Sequence, residues 1–140
     1  MQPSNLQKNV LIVDDDELHL FAFGKELEQY GWTVHAARSG SDGIELARIV
    51  KPPLIFVDLQ MEGLDGFEVC ARIRAEAWSA QTVLIAASGL PRRETEERAL
   101  RSGFDLYLLK PFSDNLVSKI LQHTAVAAGL SEHSEPRLAN

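Results

Sequence analysis

The chain has 140 residues, 45% of them hydrophobic and 24% charged, which suffices for one domain with its own core but not for two. Its net charge of −6 supplies no basic stripe to displace counterions, which argues against sequence-independent nucleic-acid binding. No run reaches the roughly twenty apolar residues that cross a bilayer, and Met1-Gln2-Pro3-Ser4-Asn5 lacks the basic-then-apolar order of a secretory signal, so a cytoplasmic protein is expected.

Residues 1–7 read as a leader to a domain over 8–128. Val10–Val13 is an apolar run that ends directly at Asp14-Asp15-Asp16. Glu17–Tyr30 follows with Leu20, Gly24 and Leu27 at helical spacing, and Gly31 stops it. Trp32–Ala36 reads as a second strand, and Asp42–Val50 as a helix carrying Ile44 and Ala47. After the Pro52-Pro53 break, the third strand, Leu54–Val57, ends at Asp58. Gly66–Ala77 is helical, with Phe67, Cys70 and Ile73 on one side; Cys70, the single cysteine, reads as a reduced core thiol. Val83–Ala87 is the fourth strand and runs into Ser88-Gly89. Pro91–Ser102 is a helix whose clear apolar residues are Ala99 and Leu100. Its Arg and Glu crowd has two open readings: a solvated face with intrahelical ion pairs, or a weakly anchored helix able to shift. Leu106–Leu109 is the fifth strand, stopped by Lys110-Pro111, and a last helix carries Leu116, Ile120 and Leu121. The polar segment 129–140, with Pro136, is expected to be disordered. His19, His35, His123 and His133 show no ligand spacing and read as structural or solvated.

Several strands are apolar throughout, the mark of strands covered on both faces. Alternation with helices then predicts an α/β fold: a doubly wound, five-stranded parallel sheet with five helices on both faces. Ligands of such sheets bind beyond the carboxyl ends of the strands. Asp14, Asp15, Asp16, Asp58, Ser88 and Lys110 all stand at such ends. Carboxylates gathered there repel unless a divalent cation binds or one of them is protonated, and both options are open at this point. Hard oxygen donors without His or Cys neighbours suit magnesium: Asp15 and Asp58 as direct ligands, Asp14 through a water, and the Gln60 backbone carbonyl completing the set. One carboxylate can then attack phosphorus, with the Lys110 ammonium and the Ser88 hydroxyl on the phosphoryl oxygens. Plainer readings exist for each residue. Asp14 and Asp15 would cap the next helix, the role assigned to Asp16 in any case; Asp58 would be a loop carboxylate, Ser88-Gly89 a turn and Lys110 a surface lysine.

Val13-Asp14-Asp15, Val57-Asp58-Leu59-Gln60-Met61, Asp65-Gly66, Ala87-Ser88-Gly89, Ser102-Gly103-Phe104-Asp105 and Lys110-Pro111-Phe112 together resemble the receiver domain of two-component response regulators, including the single-domain chemotaxis regulator. The resemblance spans about Lys8 to Ala128 and implies the flavodoxin-like strand order 2-1-3-4-5. It implies that Asp58 accepts a phosphoryl group from a histidine kinase or a histidine phosphotransfer protein. Asp14 and Asp15 would bind Mg2+, Lys110 would contact the phosphoryl group, and Ser88 and Tyr107 would be the switch pair. The face of helix four, strand five and helix five would then change for a protein output partner, with no nucleic acid or membrane involved. A cis Lys110–Pro111 bond is also implied. The chain departs from the family at Glu62, where proline is usual, and carries Gln60 and Leu90 at positions that tune phosphoryl lifetime. Gly103–Tyr107 resembles receivers of hybrid kinases, so a free-standing protein and an excised receiver both stay open. The chain is not expected to turn over an external substrate. The alternatives are a magnesium-dependent aspartyl phosphatase, which would want a carboxylate where Gln60 stands, and a phosphate-independent binding module, which would be expected to lack signature residues.

Overall fold

The computed structural model describes residues 8–129. Five strands, β1 (Asn9–Val13), β2 (Thr33–Ala37), β3 (Leu54–Asp58), β4 (Val83–Ser88) and β5 (Leu106–Leu109), form one parallel sheet in the order β2-β1-β3-β4-β5. The connecting helices are α1 (Glu17–Gln29), α2 (Gly40–Val50), α3 (Gly66–Arg74), α4 (Arg92–Ser102) and α5 (Asp114–Ala127), with a short 3-10 turn at Ala77–Gln81. The expected α/β fold and strand order are therefore present.

Every residue of β1 and β3 is buried, because both faces of the sheet are covered. Side chains alternate across a strand, so each central strand feeds two cores. Leu11, Val13, Ile55 and Val57 pack with Ile44, Ala47, Val69, Ile73 and Ala99 of α2, α3 and α4. Val10, Ile12, Leu54 and Phe56 pack with Leu20, Phe23, Leu27, Val117 and Leu121 of α1 and α5. Cys70 lies in the first core, fully buried, with burial pushing its thiol up to about 12.

Most boundaries differ from the sequence reading by a residue or two, the second helix for example starting at Gly40 and not Asp42. The second strand starts at Thr33, and Trp32 packs into the core just before it. Pro91 precedes α4 instead of opening it. The third helix stops at Arg74, not Ala77. At that end the Arg74 guanidinium donates to the carbonyls of Gly103, Ser79 and Thr82 and to Asp105 Oδ2, at 2.7–2.9 Å. Asp105 Oδ2 also accepts from Leu84 N–H at 2.8 Å, so this cluster ties α3, β4 and the β5 entry together.

Helix α4 carries the ion pairs expected of a solvated face, Arg92–Glu96 and Glu97–Arg101. Its buried residues are Thr95 and Ala99, and Arg98 lies 3.8 Å over the Phe67 ring. Segment 129–140, expected to be disordered, lies outside the described residues except for Gly129, as does the leader over 1–7.

Arg74→Ala would take the side-chain donor from the Gly103 and Thr82 carbonyls, while Ser79 C=O keeps Thr82 N–H and Asp105 Oδ2 keeps Leu84 N–H. Urea unfolding should show a loss of about 1–3 kcal/mol, the scale of a carbonyl left without its donor.

Candidate functional site

The strand register brings the chemistry to one edge. Asp58 is the last residue of β3 and stands opposite Ala87, so Ser88 follows at the next step of β4. Ser88 pairs with Leu109, and Lys110 N–H donates to Ser88 C=O at 2.8 Å. On the other side, Asp14 N–H donates to Ala37 C=O at 3.0 Å, which extends the β1–β2 ladder by one residue and turns the Asp14 carboxylate inward, 2% exposed.

Asp16 caps α1, accepting from Leu18 N–H and His19 N–H at 3.0 and 3.2 Å, as the sequence assigned. Asp14 Oδ1 accepts from Asp16 N–H at 2.9 Å. Asp14 Oδ2 has two partners, His19 Nδ1 at 2.6 Å and Lys110 Nζ at 3.1 Å. Lys110 Nζ also lies 3.8 Å from Asp58 Oδ2, so one ammonium stands between two carboxylates. Asp58 Oδ1 accepts from Gln60 N–H at 3.0 Å, and exposed Asp15 accepts from Glu62 N–H at 3.4 Å. Asp14, Asp15 and Asp58 each offer an oxygen within 4.8 Å of the others.

Close backbone contact holds Asp58 in place. A Cβ on Gly66 would lie 2.5 Å from the Asp58 carbonyl oxygen and 2.7 Å from Leu59 Cα, so only glycine lets α3 start there. Asp65 caps that helix by accepting from Glu68 N–H at 3.0 Å.

The two buried carboxylates titrate in opposite directions. Burial pushes Asp14 up, but the His19 contact, the Asp16 N–H and Lys110 outweigh it and bring the group down to about 2. Burial pushes Asp58 up to about 6 and the Asp14 carboxylate adds to this, against opposition from Gln60 N–H and Lys110. The lysine serves Asp14 at the shorter distance, which leaves Asp58 under-compensated.

Ser88 and Tyr107 meet at one residue. Ser88 Oγ accepts from Leu90 N–H at 2.9 Å, and Tyr107 O–H donates to Leu90 C=O at 2.5 Å. Both side chains are buried, and the Arg92 guanidinium lies 5.5 Å over the Tyr107 ring. The Lys110–Pro111 bond is cis.

Asp14, Asp15, Asp58 and Lys110 are thus brought together, with Ser88 beside them on β4. Sequence reasoning missed His19, read there as structural or solvated. Its signal was positional: it stands at the third residue of a capped helix, where a side chain reaches back over the N-terminus.

A flavodoxin-like sheet with an acidic triad and a lysine at its carboxyl edge defines a class of fold and site that also occurs in known proteins. The response regulator receiver domain family matches residues 10–122, and the chain belongs to that family. Protein PilH of Pseudomonas aeruginosa is 31% identical over 86% of this chain and 98% of its own length. The alkaline phosphatase synthesis transcriptional regulatory protein PhoP of Bacillus subtilis is 31% identical over 91% of the chain but 54% of its own length, so the chain spans about half of that relative. The receiver domain of sensor histidine kinase PA1611 from Pseudomonas aeruginosa, solved with a magnesium ion coordinated in its active-site cleft, superposes with a TM-score of 0.76 at 25% identity, covering 82% of this chain and 94% of its own.

The pH dependence of stability follows from Asp58. Its folded value lies above the ordinary 3.8, so its contribution is present below pH 4 and is lost as pH rises through about 6. Metal-free Asp58→Asn should therefore be more stable than the parent at pH 7.5, by about 2–3 kcal/mol in urea with a chelator. The two proteins should converge near pH 4; an equal difference at both pH values would contradict the charge argument.

Proposed function

We propose that this chain is the phosphoacceptor module of a two-component phosphorelay, a receiver unit over residues 8–128. In this reading Asp58 takes a phosphoryl group from the phosphohistidine of a sensor histidine kinase or histidine phosphotransfer protein. The observation that carries it is the convergence of Asp14, Asp15 and Asp58 within 4.8 Å, with Lys110 between two of them.

The donor set fits a hard divalent cation, being all carboxylate oxygens within 4.8 Å of one another. Asp15 and Asp58 would hold Mg2+ directly, Asp14 through a water, and the Gln60 carbonyl would complete the protein's share; the magnesium in the PA1611 receiver supports this. When bound, the ion supplies charge neutralisation for the carboxylates and the transferring phosphoryl oxygens.

The remaining steps belong to the chain's own residues. With its value near 6, Asp58 is mostly ionised at neutral pH and so able to attack. A carboxylate oxygen forms the bond to phosphorus while the phosphorus–nitrogen bond of the donor breaks, and its electron pair stays on the imidazole nitrogen. Lys110 shifts from the carboxylates to a phosphoryl oxygen. Ser88 Oγ, which accepts from Leu90 N–H, directs its proton to another phosphoryl oxygen. That movement pulls on Leu90, whose carbonyl holds the Tyr107 hydroxyl, so the populations of the α4, β5 and α5 face shift. The signal then leaves to a protein output partner, and no external metabolite is turned over. Among the described residues no helix is long and apolar enough to cross a membrane, and we place the protein in the cytoplasm.

Incubation with Mg2+ and acetyl phosphate should give one phosphoryl adduct per chain, mapped by mass spectrometry to Asp58 and lost in Asp58→Asn. Full labelling of that variant would remove the assignment, and sustained hydrolysis of phosphoesters over many turnovers would favour a phosphatase. Beryllofluoride with Mg2+ should shift the resonances of Ser88 and Tyr107; an unmoved Tyr107 would remove the switch.

A further inference from the structure

We propose that His19 is a positioning residue of the phosphoryl site, a second donor that keeps Asp14 hydrogen-bonded when Lys110 moves to the phosphoryl group on Asp58. The inference rests on the phosphoacceptor reading above.

Asp14 is buried, and both its oxygens are occupied. Oδ1 accepts from Asp16 N–H, while Oδ2 carries His19 Nδ1 at 2.6 Å and Lys110 Nζ at 3.1 Å. Lys110 is the one ammonium within 4 Å of either Asp14 or Asp58 among the described residues, and it lies closer to Asp14. A buried carboxylate stripped of a donor bears its full desolvation penalty. Without a substitute, sending Lys110 to a phosphoryl oxygen would leave Asp14 Oδ2 with no side-chain donor, which holds the lysine back in the resting arrangement. His19 removes that obstacle by already holding the same oxygen.

The imidazole is well fixed for this task. His19 stacks on Phe23, with ring centroids 5.5 Å apart and planes 16° from parallel. Phe23 packs edge-on against Phe56 of β3 and Phe112 after Pro111, so the ring rests on both flanks of the site. The proton is assigned to Nδ1 because its partner is an acceptor carboxylate, and the neutral tautomer suffices. An ordinary third-position cap would reach the backbone of the cap residue, whereas His19 reaches the Asp14 side chain, two residues earlier.

The test compares His19→Leu and His19→Asn with the parent by calorimetric titration of Mg2+ alone and of beryllofluoride in saturating Mg2+. An asparagine Nδ2 is as many bonds from Cα as His Nδ1, so it can restore the donor. His19→Leu should weaken beryllofluoride about tenfold, the scale of one hydrogen bond to a charged group. Its Mg2+ affinity should hold or rise, because Asp14 has lost a competing donor. His19→Asn should recover most of the beryllofluoride affinity. Parent-like binding in His19→Leu, or parallel loss of both ligands without rescue by asparagine, would overturn the proposal. A parent protein that binds no beryllofluoride in Mg2+ would overturn the phosphoacceptor reading, and this inference with it.

Discussion

One ammonium shared by two buried carboxylates organises this molecule. Asp14 and Asp58 present oxygens within 4.8 Å of each other, a repulsion of about 3 kcal/mol at an effective dielectric near 20. Lys110 relieves it unevenly, at 3.1 Å from Asp14 and 3.8 Å from Asp58. His19 and Asp16 N–H act with Lys110 to make Asp14 strongly acidic against its burial, whereas burial, with the Asp14 carboxylate beside it, raises Asp58. The carboxylate with unmet demand for a cation stands at the end of the central strand, the position from which it would react.

The sheet makes this imbalance possible. Asp14 follows and Asp58 ends a strand buried on both faces, so their backbone positions are set by ladders and two cores and cannot relax apart. Gly66 closes the remaining freedom by bringing α3 against the Asp58 carbonyl. The repulsion that Lys110 leaves uncompensated is thus held by packing some distance away, and a ligand or a proton would relieve it further.

The opposite flank is lightly anchored. Helix α4 buries Thr95 and Ala99, against five buried residues in the shorter α3, and much of the rest of its surface is ion pairs in water. Such a helix opens or shifts at small expense. Leu90, just before it, donates its N–H to Ser88 Oγ and accepts from the Tyr107 hydroxyl on its carbonyl, so one residue ties the sheet edge to both the helix entry and the aromatic ring.

Much of this was legible from local signals. Apolar runs ending in Asp14, Asp58, Ser88 and Lys110 sufficed for the α/β class and for most of the site, because a parallel sheet sends all its strand ends to one edge. Capping chemistry likewise identified Asp16. The anchoring of α3 at Arg74 was not legible, since it rests on carbonyls of Ser79, Thr82 and Gly103 that only the folded chain brings around one guanidinium. His19 was not read either: an isolated histidine has no ligand spacing, and its contact exists only once Asp16 caps α1 and Phe23 seats the ring. The sequence by itself determined which groups reach the edge, because hydrophobic pattern sets strand and helix. The division of Lys110 between Asp14 and Asp58 was decided only by the tertiary structure, because it depends on burial and on differences of less than an ångström between side chains from separate strands.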